Sequence, residues 1–270
     1  MNKEVLNPKE VFETYVANSV SKLDYSRKKV FFLGIMAGAF IALGAQASSV
    51  ASHGIIDVGL ARLISGMVFP VGLMMIVLLG GELFTGDCLL FMGVLAHKVR
   101  FSKMLSLLAY IFIANFVGAL LVSGLVSFSG QWNYSGGALG AYTLKIAVSK
   151  CQISLVGAIA SGILCNIIVC VAVLMSTSAL TVVGKIFAIF FSILAFVTSG
   201  FEHCVANMYY LTAGLFASFD PSYIAKANEL YGEIGQLSTQ GILWNLTLVT
   251  IGNIIGGIMI GVMINIVRQK

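Results

Sequence analysis

Two short segments of the sequence place similar reactive residues at matching positions inside long apolar stretches. The first segment, GGELFTGD, contains Gly80, Glu82 and Asp87, and the second, GFEHCVAN, repeats the pattern 120 positions later. The matching residues of the second segment are Gly200, Glu202 and Asn207. Glycine loosens a membrane helix and a carboxylate at membrane depth is costly, so the repeat predicts two interruptions that line a polar path. Paired interruptions in the two halves of a membrane protein indicate a transport site.

Two side chains within these segments are candidates for direct contact with a substrate. His203 is an ionisable residue inside an apolar stretch, and such residues are functional candidates because their burial in a membrane is costly. Thr85 has a hydroxyl group that can donate or accept a hydrogen bond without carrying charge. This property suits a position that selects among substrates.

The acidic and amide residues of the repeat are expected to have structural roles. A carboxylate beside a chain break can accept hydrogen bonds from freed backbone amides, so Glu82 and Glu202 are predicted to hold the two breaks closed. Asp87 and Asn207 are predicted to do similar work as N-caps at the entry to each second half-helix, because both residue types cap helices well.

The sequence has no pattern typical of an enzyme, a metal site or a nucleotide-binding site. Its five cysteines form no Cys-x-x-Cys pair, and only Cys204 has a histidine beside it. No Walker loop, dinucleotide fingerprint or Gly-x-Ser-x-Gly elbow is present. A membrane enzyme would need a nucleophile, a metal or paired acids at the interface, whereas the ionisable residues here lie within spans. We therefore expect no enzymatic activity, no cofactor and no metal.

The composition places most of the chain in a lipid bilayer. Of its 270 residues, 59% are hydrophobic and 10% are charged, and the mean hydropathy is +0.97. Apolar runs of about 20 residues predict membrane crossings. We predict six of them, at residues 30–50, 60–95, 104–128, 153–175, 185–219 and 242–267. The second and fifth contain the repeated interruption, so each is predicted to be two half-helices joined by a loop near mid-membrane.

The polar segment 1–28 precedes the first crossing. It has four acidic residues and no early apolar core followed by a cleavage site, so we expect no removable signal peptide. Phe12, Val16 and Val20 are spaced four apart, which predicts a short amphipathic helix at the membrane interface or against the helix bundle.

Two related halves, 29–128 and 150–267, are predicted to form a single transmembrane channel domain that occupies residues 1–270. Asn115-Phe-Val-Gly118 in the third crossing and Asn253-Ile-Ile-Gly256 in the sixth extend the similarity between the halves. Because each half contains three crossings, the second half has the opposite orientation to the first. The predicted fold is therefore an all-α integral membrane protein with an inverted repeat.

Positive charges predict the orientation in the membrane. If both termini lie on one side, that side holds all the basic residues of the chain except Arg62, Lys145, Lys150 and Lys226. Cytoplasmic segments carry an excess of lysine and arginine, so the termini are predicted to be cytoplasmic and the membrane to be the inner, plasma membrane. The net charge of +5 is thus an orientation signal and suggests no nucleic-acid partner.

Three motifs together resemble the formate/nitrite transporter family. They are GGELFTG at 80–86, SGFEHCVANM at 199–208 and IGNIIGG at 251–257, and the resemblance covers essentially all six crossings. It implies an aquaporin-like six-helix protomer, a homopentamer with one pore in each subunit, and passage of small monovalent anions such as formate, nitrite or hydrosulfide. The Asn-Pro-Ala boxes expected of true aquaporins are absent.

The resemblance also implies roles for individual residues. His203 is similar to the central pore histidine of the family, Thr85 to its loop threonine and Lys150 to its vestibule lysine. Asn253 is placed with them among the pore residues. Two hydrophobic constrictions would be lined by Phe69, Leu73, Leu83, Phe84 and Phe196.

A mechanism follows from this set of residues. Removing water from an anion so that it can pass apolar side chains is costly unless its charge is compensated or neutralised. His203 could pair with the anion as imidazolium, or donate a proton to form a neutral acid. The pore would then act as a passive channel or as a proton symporter. A channel for neutral solutes such as water, ammonia or glycerol is the alternative, because apolar constrictions favour uncharged species.

Overall fold

Thirteen α-helices make up most of the chain in the computed structural model, which describes residues 3–267. In chain order they are α1 (Pro8–Leu23), α2 (Arg27–Ser52), α3 (Val58–Val68), α4 (Val71–Leu79), α5 (Phe84–Asp87), α6 (Phe91–Leu95), α7 (Phe101–Phe128), α8 (Ala138–Cys151), α9 (Leu155–Ser178), α10 (Val182–Ser199), α11 (Cys204–Ala217), α12 (Pro221–Tyr231) and α13 (Thr239–Val267). Six spans in this part of the chain are long and apolar enough to cross a membrane: α2, α3 with α4, α7, α9, α10 and α13. The predicted all-α, six-span membrane fold is confirmed.

Small polar side chains begin four of these spans. Ser26, Asp57, Ser154 and Thr181 each precede a helix and accept a hydrogen bond from the backbone amide three residues later. Each bond satisfies one of the amides that the first turn of a helix leaves without a partner. Local sequence therefore sets where these spans begin, and the apolar runs that follow set their length.

The second and fifth spans are broken, as predicted. Helix α4 ends at Gly80, which has φ of 94°, and helix α10 ends at Gly200, which has φ of 73°. Residues with a side chain rarely adopt such angles, so glycine permits both turns. The chain resumes as α5 and α6 in the first half and as α11 in the second. An unpredicted interruption separates α3 from α4 at Phe69 and Pro70, because proline has no amide hydrogen to donate.

The first and third spans of each half pack with their backbones in close contact. A Cβ atom added at Gly38 of α2 would lie 2.0 Å from the carbonyl oxygen of Asn115 in α7. In the second half, a Cβ atom at Gly252 of α13 would lie 2.4 Å from the carbonyl oxygen of Ile159 in α9. Only glycine allows such an approach, and small residues serve this purpose in membrane helices.

The predicted N-terminal helix is present as α1 and packs against the bundle. It buries Phe12 and Tyr15, whereas Val20 of the predicted apolar stripe is 37% exposed. The Tyr15 hydroxyl donates a hydrogen bond to the carbonyl oxygen of Gly86, at a distance of 2.9 Å. At the start of this helix, a hydrogen bond from the Lys3 ammonium holds the pKa of the Glu10 carboxyl below its usual value. Helix α1 is therefore attached to the first broken span.

Two further helices, α8 and α12, were not predicted. Helix α8 lies in the segment between the two halves, packs on α11 and α12, and buries Leu144 and Val148. Its last turn contains Lys150. Helix α12 places Tyr223 against Gly140 of α8. These helices form one face of the molecule, which we call the far side; the face that carries α1 is the N-side.

Candidate functional site

The side chain of Asn115 holds the first break in place. Its Nδ2 atom donates to the carbonyl oxygens of Gly34 and Glu82, at 2.8 and 2.9 Å. Its Oδ1 atom accepts a hydrogen bond of 2.9 Å from the amide of Phe84, the first residue of α5. This fully buried amide thus satisfies two backbone groups at the break and ties the break to Gly34 of α2.

Asn253 does the same work at the second break. Its Nδ2 atom donates to the carbonyl oxygens of Gly162 and Glu202, at 2.8 and 3.0 Å, and its Oδ1 atom accepts from the amide of Cys204 at 2.9 Å. These partners occupy the same places in the second half as those of Asn115 in the first. The similarity between the halves is therefore one of hydrogen-bond pattern as well as of sequence.

This pattern corrects two predictions. Glu82 and Glu202 were expected to accept hydrogen bonds from freed backbone amides, but among the described residues the ion pairs and hydrogen bonds of their carboxylates are with side chains. Asn253 was expected among the pore residues, but it is fully buried and its amide group bonds only backbone atoms. An asparagine has both a donor and an acceptor, which the mixed backbone groups of a break require and a carboxylate lacks.

His203 and Thr85 meet where the two half-helices begin. The imidazole Nε2 atom of His203 lies 2.9 Å from the Thr85 hydroxyl oxygen, and both side chains are buried. The amide of Ala206 donates a 3.0 Å hydrogen bond to the other ring nitrogen, Nδ1. Because a backbone amide can only donate, Nδ1 must carry a lone pair, and the neutral ring carries its hydrogen on Nε2, directed at Thr85.

The contact with Ala206 also corrects the predicted N-caps. His203 is the N-cap of α11, and Leu83 precedes α5 without a capping side chain. Asp87 and Asn207 are instead the fourth residues of their half-helices. Sequence reasoning missed this role of His203, because imidazole is not among the common capping groups.

A cavity of about 170 Å³, which we call the far-side cavity, lies on the far side and reaches His203. Phe69 and Phe196 contribute to its lining together with His203. The two phenylalanine rings meet edge to face with centroids 5.7 Å apart, and the Phe196 ring is 5.8 Å from the imidazole. The two aromatic residues, both predicted to line a constriction, thus form an apolar neck next to His203.

A second cavity, of about 550 Å³, lies on the N-side, and we call it the N-side cavity. Leu73 and Leu83 contribute to its lining. Phe84, which was predicted as a constriction residue, lines neither cavity. Its ring packs edge to face on Phe112 of α7, with centroids 5.2 Å apart. Phe84 begins a half-helix, and its side chain faces the bundle because Leu83 occupies the position next to the cavity.

Lys150 lines the far-side cavity and is paired with a carboxylate. Its Nζ atom lies 2.8 Å from Glu202 Oε1, and the two side chains are 15% and 11% exposed. The other carboxylate oxygen of Glu202 accepts a 2.6 Å hydrogen bond from Asn207 Nδ2. Asn245 also donates to this oxygen, at 3.4 Å. The charge of Glu202 is therefore compensated at the mouth of the cavity.

Lys22 of α1 is the counterpart of Lys150 on the N-side and was missed by sequence reasoning. Its Nζ atom lies 2.6 Å from Glu82 Oε2 and 2.5 Å from Asp87 Oδ1. No local spacing connects a lysine in the polar N-terminal segment to acids more than fifty residues later. The signal that could have found it is the need of two buried carboxylates for a cation.

Asn166 is a second residue that sequence reasoning missed. It is fully buried in α9, and its Nδ2 atom donates to the carbonyl oxygens of Asn253 and Thr85, at 2.6 and 3.1 Å. It thereby ties the loop of one half to the sixth span of the other. An isolated asparagine within an apolar span was the available signal, since such residues usually bond another helix.

Comparisons with known proteins agree with this arrangement. The formate channel FocA of Haemophilus influenzae is 36% identical over 270 residues, which cover 97% of this chain and 94% of that protein. A solved structure described as a pentameric formate channel with formate bound is 29% identical with a TM-score of 0.80, over 90% of this chain and 98% of that one. An aquaglyceroporin from Plasmodium falciparum, 14% identical with a TM-score of 0.55 over 89% of this chain and 100% of that one, supports the aquaporin-like fold alone.

A family model described as formate/nitrite transporter matches residues 9–267, which is almost the whole chain. The match includes both broken spans, both asparagines that hold the breaks, and the pair formed by Thr85 and His203. The protein is thus a multi-pass membrane protein, and its chain belongs to the formate/nitrite transporter family.

Proposed function

We propose that this protein is a channel for small monovalent anions of the formate, nitrite and hydrosulfide class. The observation that carries the proposal is the contact between Thr85 and His203, which lies between an aromatic neck on the far side and two leucines on the N-side. The name of the relative FocA and the formate bound in the solved relative support formate as a substrate.

The arrangement of charge favours anions over neutral solutes. Lys22 and Lys150 lie on the two sides of the apolar region, but each is paired with carboxyl groups and adds no net positive charge. His203 is the N-cap of α11, so the positive end of the dipole of this helix lies beside the His203–Thr85 pair. The positive end of this dipole lowers the cost of bringing an anion to the constriction, whereas an uncharged solute such as glycerol or ammonia gains less from it.

His203 acts in this proposal as a neutral hydrogen-bond donor. Its Nε2–H group points at Thr85 and can be redirected to an anion that enters between them. The Thr85 hydroxyl hydrogen is a second donor at the same place. Both groups can bind an anion in transit without a change of protonation.

A proton relay through His203 is the competing form of the mechanism. An imidazolium needs a hydrogen on Nδ1, and that hydrogen would displace the amide of Ala206 that now donates to Nδ1. Leaving a buried amide without a partner costs about 1–3 kcal/mol. The geometry therefore favours passive permeation of the anion, or entry of an acid already protonated by the solvent, over transfer of a proton from the ring.

The proposal extends to assembly and orientation. We infer a homopentamer with one pore in each protomer, supported by the pentameric state of the solved relative. Outward-facing residues of α10 such as Phe187 and Phe191 are 56% and 59% exposed, which suits contact with lipid or with a neighbouring protomer. The excess of basic residues on the N-side supports a cytoplasmic location for that side, in the plasma membrane.

A flux assay in proteoliposomes tests the substrate class. Formate, nitrite, hydrosulfide and glycerol would be compared in vesicles of the same protein content, with the internal pH recorded in parallel. We expect saturable flux of the anions and glycerol permeability equal to that of empty vesicles. Glycerol passage above that of empty vesicles without anion flux would overturn the proposal in favour of a neutral-solute channel.

A further inference from the structure

The two halves of the pore differ in the residue that lies beside the glutamate of each break. In the second half Asn207 donates through Nδ2 to Glu202 Oε2 at 2.6 Å and to Asn245 Oδ1 at 2.8 Å. The residue at the equivalent place in the first half is Asp87. An ionised aspartate has no hydrogen to donate, so it cannot make the contact that Asn207 makes with its glutamate.

The geometry around Asp87 shows the consequence. Lys22 Nζ donates to Asp87 Oδ1 at 2.5 Å, and it lies 2.6 Å from Glu82 Oε2 without the direction of a hydrogen bond. Because both carboxyl groups contact the same Lys22 Nζ atom, Asp87 and Glu82 are neighbours in the buried site. Asp87 Oδ2 is buried, and it has no hydrogen-bond partner among the residues that the structure describes. Asp87 and Glu82 are 2% and 4% exposed.

The charges of the two networks differ for the same reason. On the far side one lysine faces one carboxylate, Glu202, and the network is neutral. On the N-side one lysine faces two carboxyl groups, so full ionisation would leave one uncompensated negative charge in a buried site. Two adjacent buried carboxyl groups share a proton rather than both ionise, because like charges at contact distance repel strongly.

We propose that Glu82 and Asp87 share one bound proton, which makes the N-side mouth of the pore a proton-binding site that the far-side mouth lacks. The shared hydrogen supplies the donor that Asn207 supplies in the other half. With the proton bound the N-side network is neutral, and without it the network repels an approaching anion. This last consequence rests on the proposed function, whereas the proton site does not.

Other titratable groups that face this pair are already engaged. From α1, the Tyr15 hydroxyl donates to Gly86. The thiol of Cys88, just after α5, donates to the carbonyl oxygen of Phe84, and the thiol of Cys170 in α9 donates to that of Thr85. Lys29 lies over the Tyr25 ring at 3.2 Å, and Lys185 donates to the carbonyl oxygen of Ser176 at 3.1 Å; these residues line the same cavity. Among the described residues, Lys22 is the only cation in contact with the two acids.

Infrared spectroscopy of the purified oligomer tests the proton site without any transport measurement. We expect the parent protein at neutral pH to show the carbonyl band of a buried protonated carboxyl group. Both D87N and E82Q should lose that band, because each leaves one acid that receives a hydrogen from the new amide. The control variant Glu229→Gln removes an exposed carboxyl group of helix α12 and should retain the band. Absence of the band from the parent, or its persistence in both D87N and E82Q, would overturn the proposal.

The reciprocal substitution gives an independent test. Asn207→Asp places a second carboxyl group beside Glu202 and should create a second protonated-carboxyl band of about equal intensity. In this variant, anion entry from the far side should depend on pH, as we expect of anion entry from the N-side in the parent. An unchanged spectrum for Asn207→Asp would contradict the argument from the matching networks. If the parent shows the band but conducts no formate, the proposed function is rejected and the proton site still stands.

Discussion

The Nε2 atom of His203 lies 2.9 Å from the hydroxyl oxygen of Thr85, although the two residues are separated by 118 positions in the chain. The contact joins the start of the half-helix in the second half to the start of its counterpart in the first. It therefore depends on both breaks being held in place. The predictions below test the groups that hold the breaks, the close packing behind them, and the neck that leads to the contact.

Replacing Asn253 by alanine should destabilise the oligomer. The change leaves the amide of Cys204 and the carbonyl oxygen of Glu202 at the break without their partner, and each buried group left unpaired costs about 1–3 kcal/mol. Asn115→Ala should have a similar effect, because Asn115 has the equivalent bonds. Asn228→Ala, on the exposed face of α12, serves as the control. Thermal unfolding of the detergent-solubilised oligomer measures all three, and a variant of Asn253 as stable as the control would contradict this role.

Removing the charge of Lys150 should destabilise the far side of the pore. Lys150→Met leaves Glu202 with amide donors only, and breaking a buried ion pair costs about 3–5 kcal/mol, less when the pair is partly exposed as here. The double variant with Glu202→Gln should recover part of the loss, because no charge is then left unpaired. Lys226→Met breaks an exposed pair with Glu229 and should change stability by less than about 1 kcal/mol. Equal melting temperatures for the Lys150 and double variants would exclude the pairing as the cause.

The contact between α2 and α7 should not tolerate a side chain at Gly38. A Cβ atom there would lie 2.0 Å from the carbonyl oxygen of Asn115, and a backbone atom cannot move aside as a side chain can. Gly38→Ala should therefore reduce the yield of folded oligomer and displace Asn115 from the first break. Gly54→Ala is the matched control, because nothing lies within 4 Å of its added Cβ atom. Size-exclusion chromatography of the two variants decides the point, and equal oligomer yields would argue against close backbone packing.

Removing one ring of the aromatic neck should allow larger anions to pass through the pore. Phe196→Ala removes a ring that lies 5.7 Å from Phe69 and 5.8 Å from His203, so larger monovalent anions such as acetate gain access. We expect the ratio of acetate to formate flux to rise by about tenfold, a change of about 1.4 kcal/mol in relative barrier height. Phe191→Ala, on the outward face of the same helix and 59% exposed, should leave the ratio unchanged. An unaltered ratio in the Phe196 variant would place the size filter elsewhere.

The architecture was predictable because its determinants are local or repeated. Runs of apolar residues predict the spans, and Gly80 and Gly200 mark the breaks because each adopts a backbone angle that suits glycine. The family motifs predicted that Thr85 and His203 both lie in the pore, and in the structure the Thr85 hydroxyl oxygen and His203 Nε2 are 2.9 Å apart. The sequence also showed that Asn115 and Asn253 occupy equivalent positions in the two halves, although it did not show the hydrogen bonds that each makes.

The groups that neutralise the acids were not predictable in the same way. Lys22 reaches Glu82 and Asp87 only because α1 folds back onto the first broken span, and no spacing in the sequence records that contact. The position of His203 as N-cap follows the break itself, at which Asn253 bonds the residues on both sides of His203. Phe84 was predicted to line a constriction together with Leu83, but only Leu83 lines the N-side cavity, and Phe84 packs on Phe112. The sequence does not show which of two adjacent apolar residues in a turn faces a cavity.

The most direct test of the account is formate flux with simultaneous recording of internal pH in proteoliposomes that contain the parent, Thr85→Val or His203→Asn. Asparagine can accept the hydrogen bond from Ala206 and donate one towards Thr85, but it cannot carry a proton across. The account predicts that His203→Asn keeps formate flux within about tenfold of the parent, with an unchanged ratio of protons to formate, and that Thr85→Val loses more than about tenfold. Loss of proton movement in His203→Asn while formate still passes would contradict the neutral-donor mechanism and establish the ring as a proton relay.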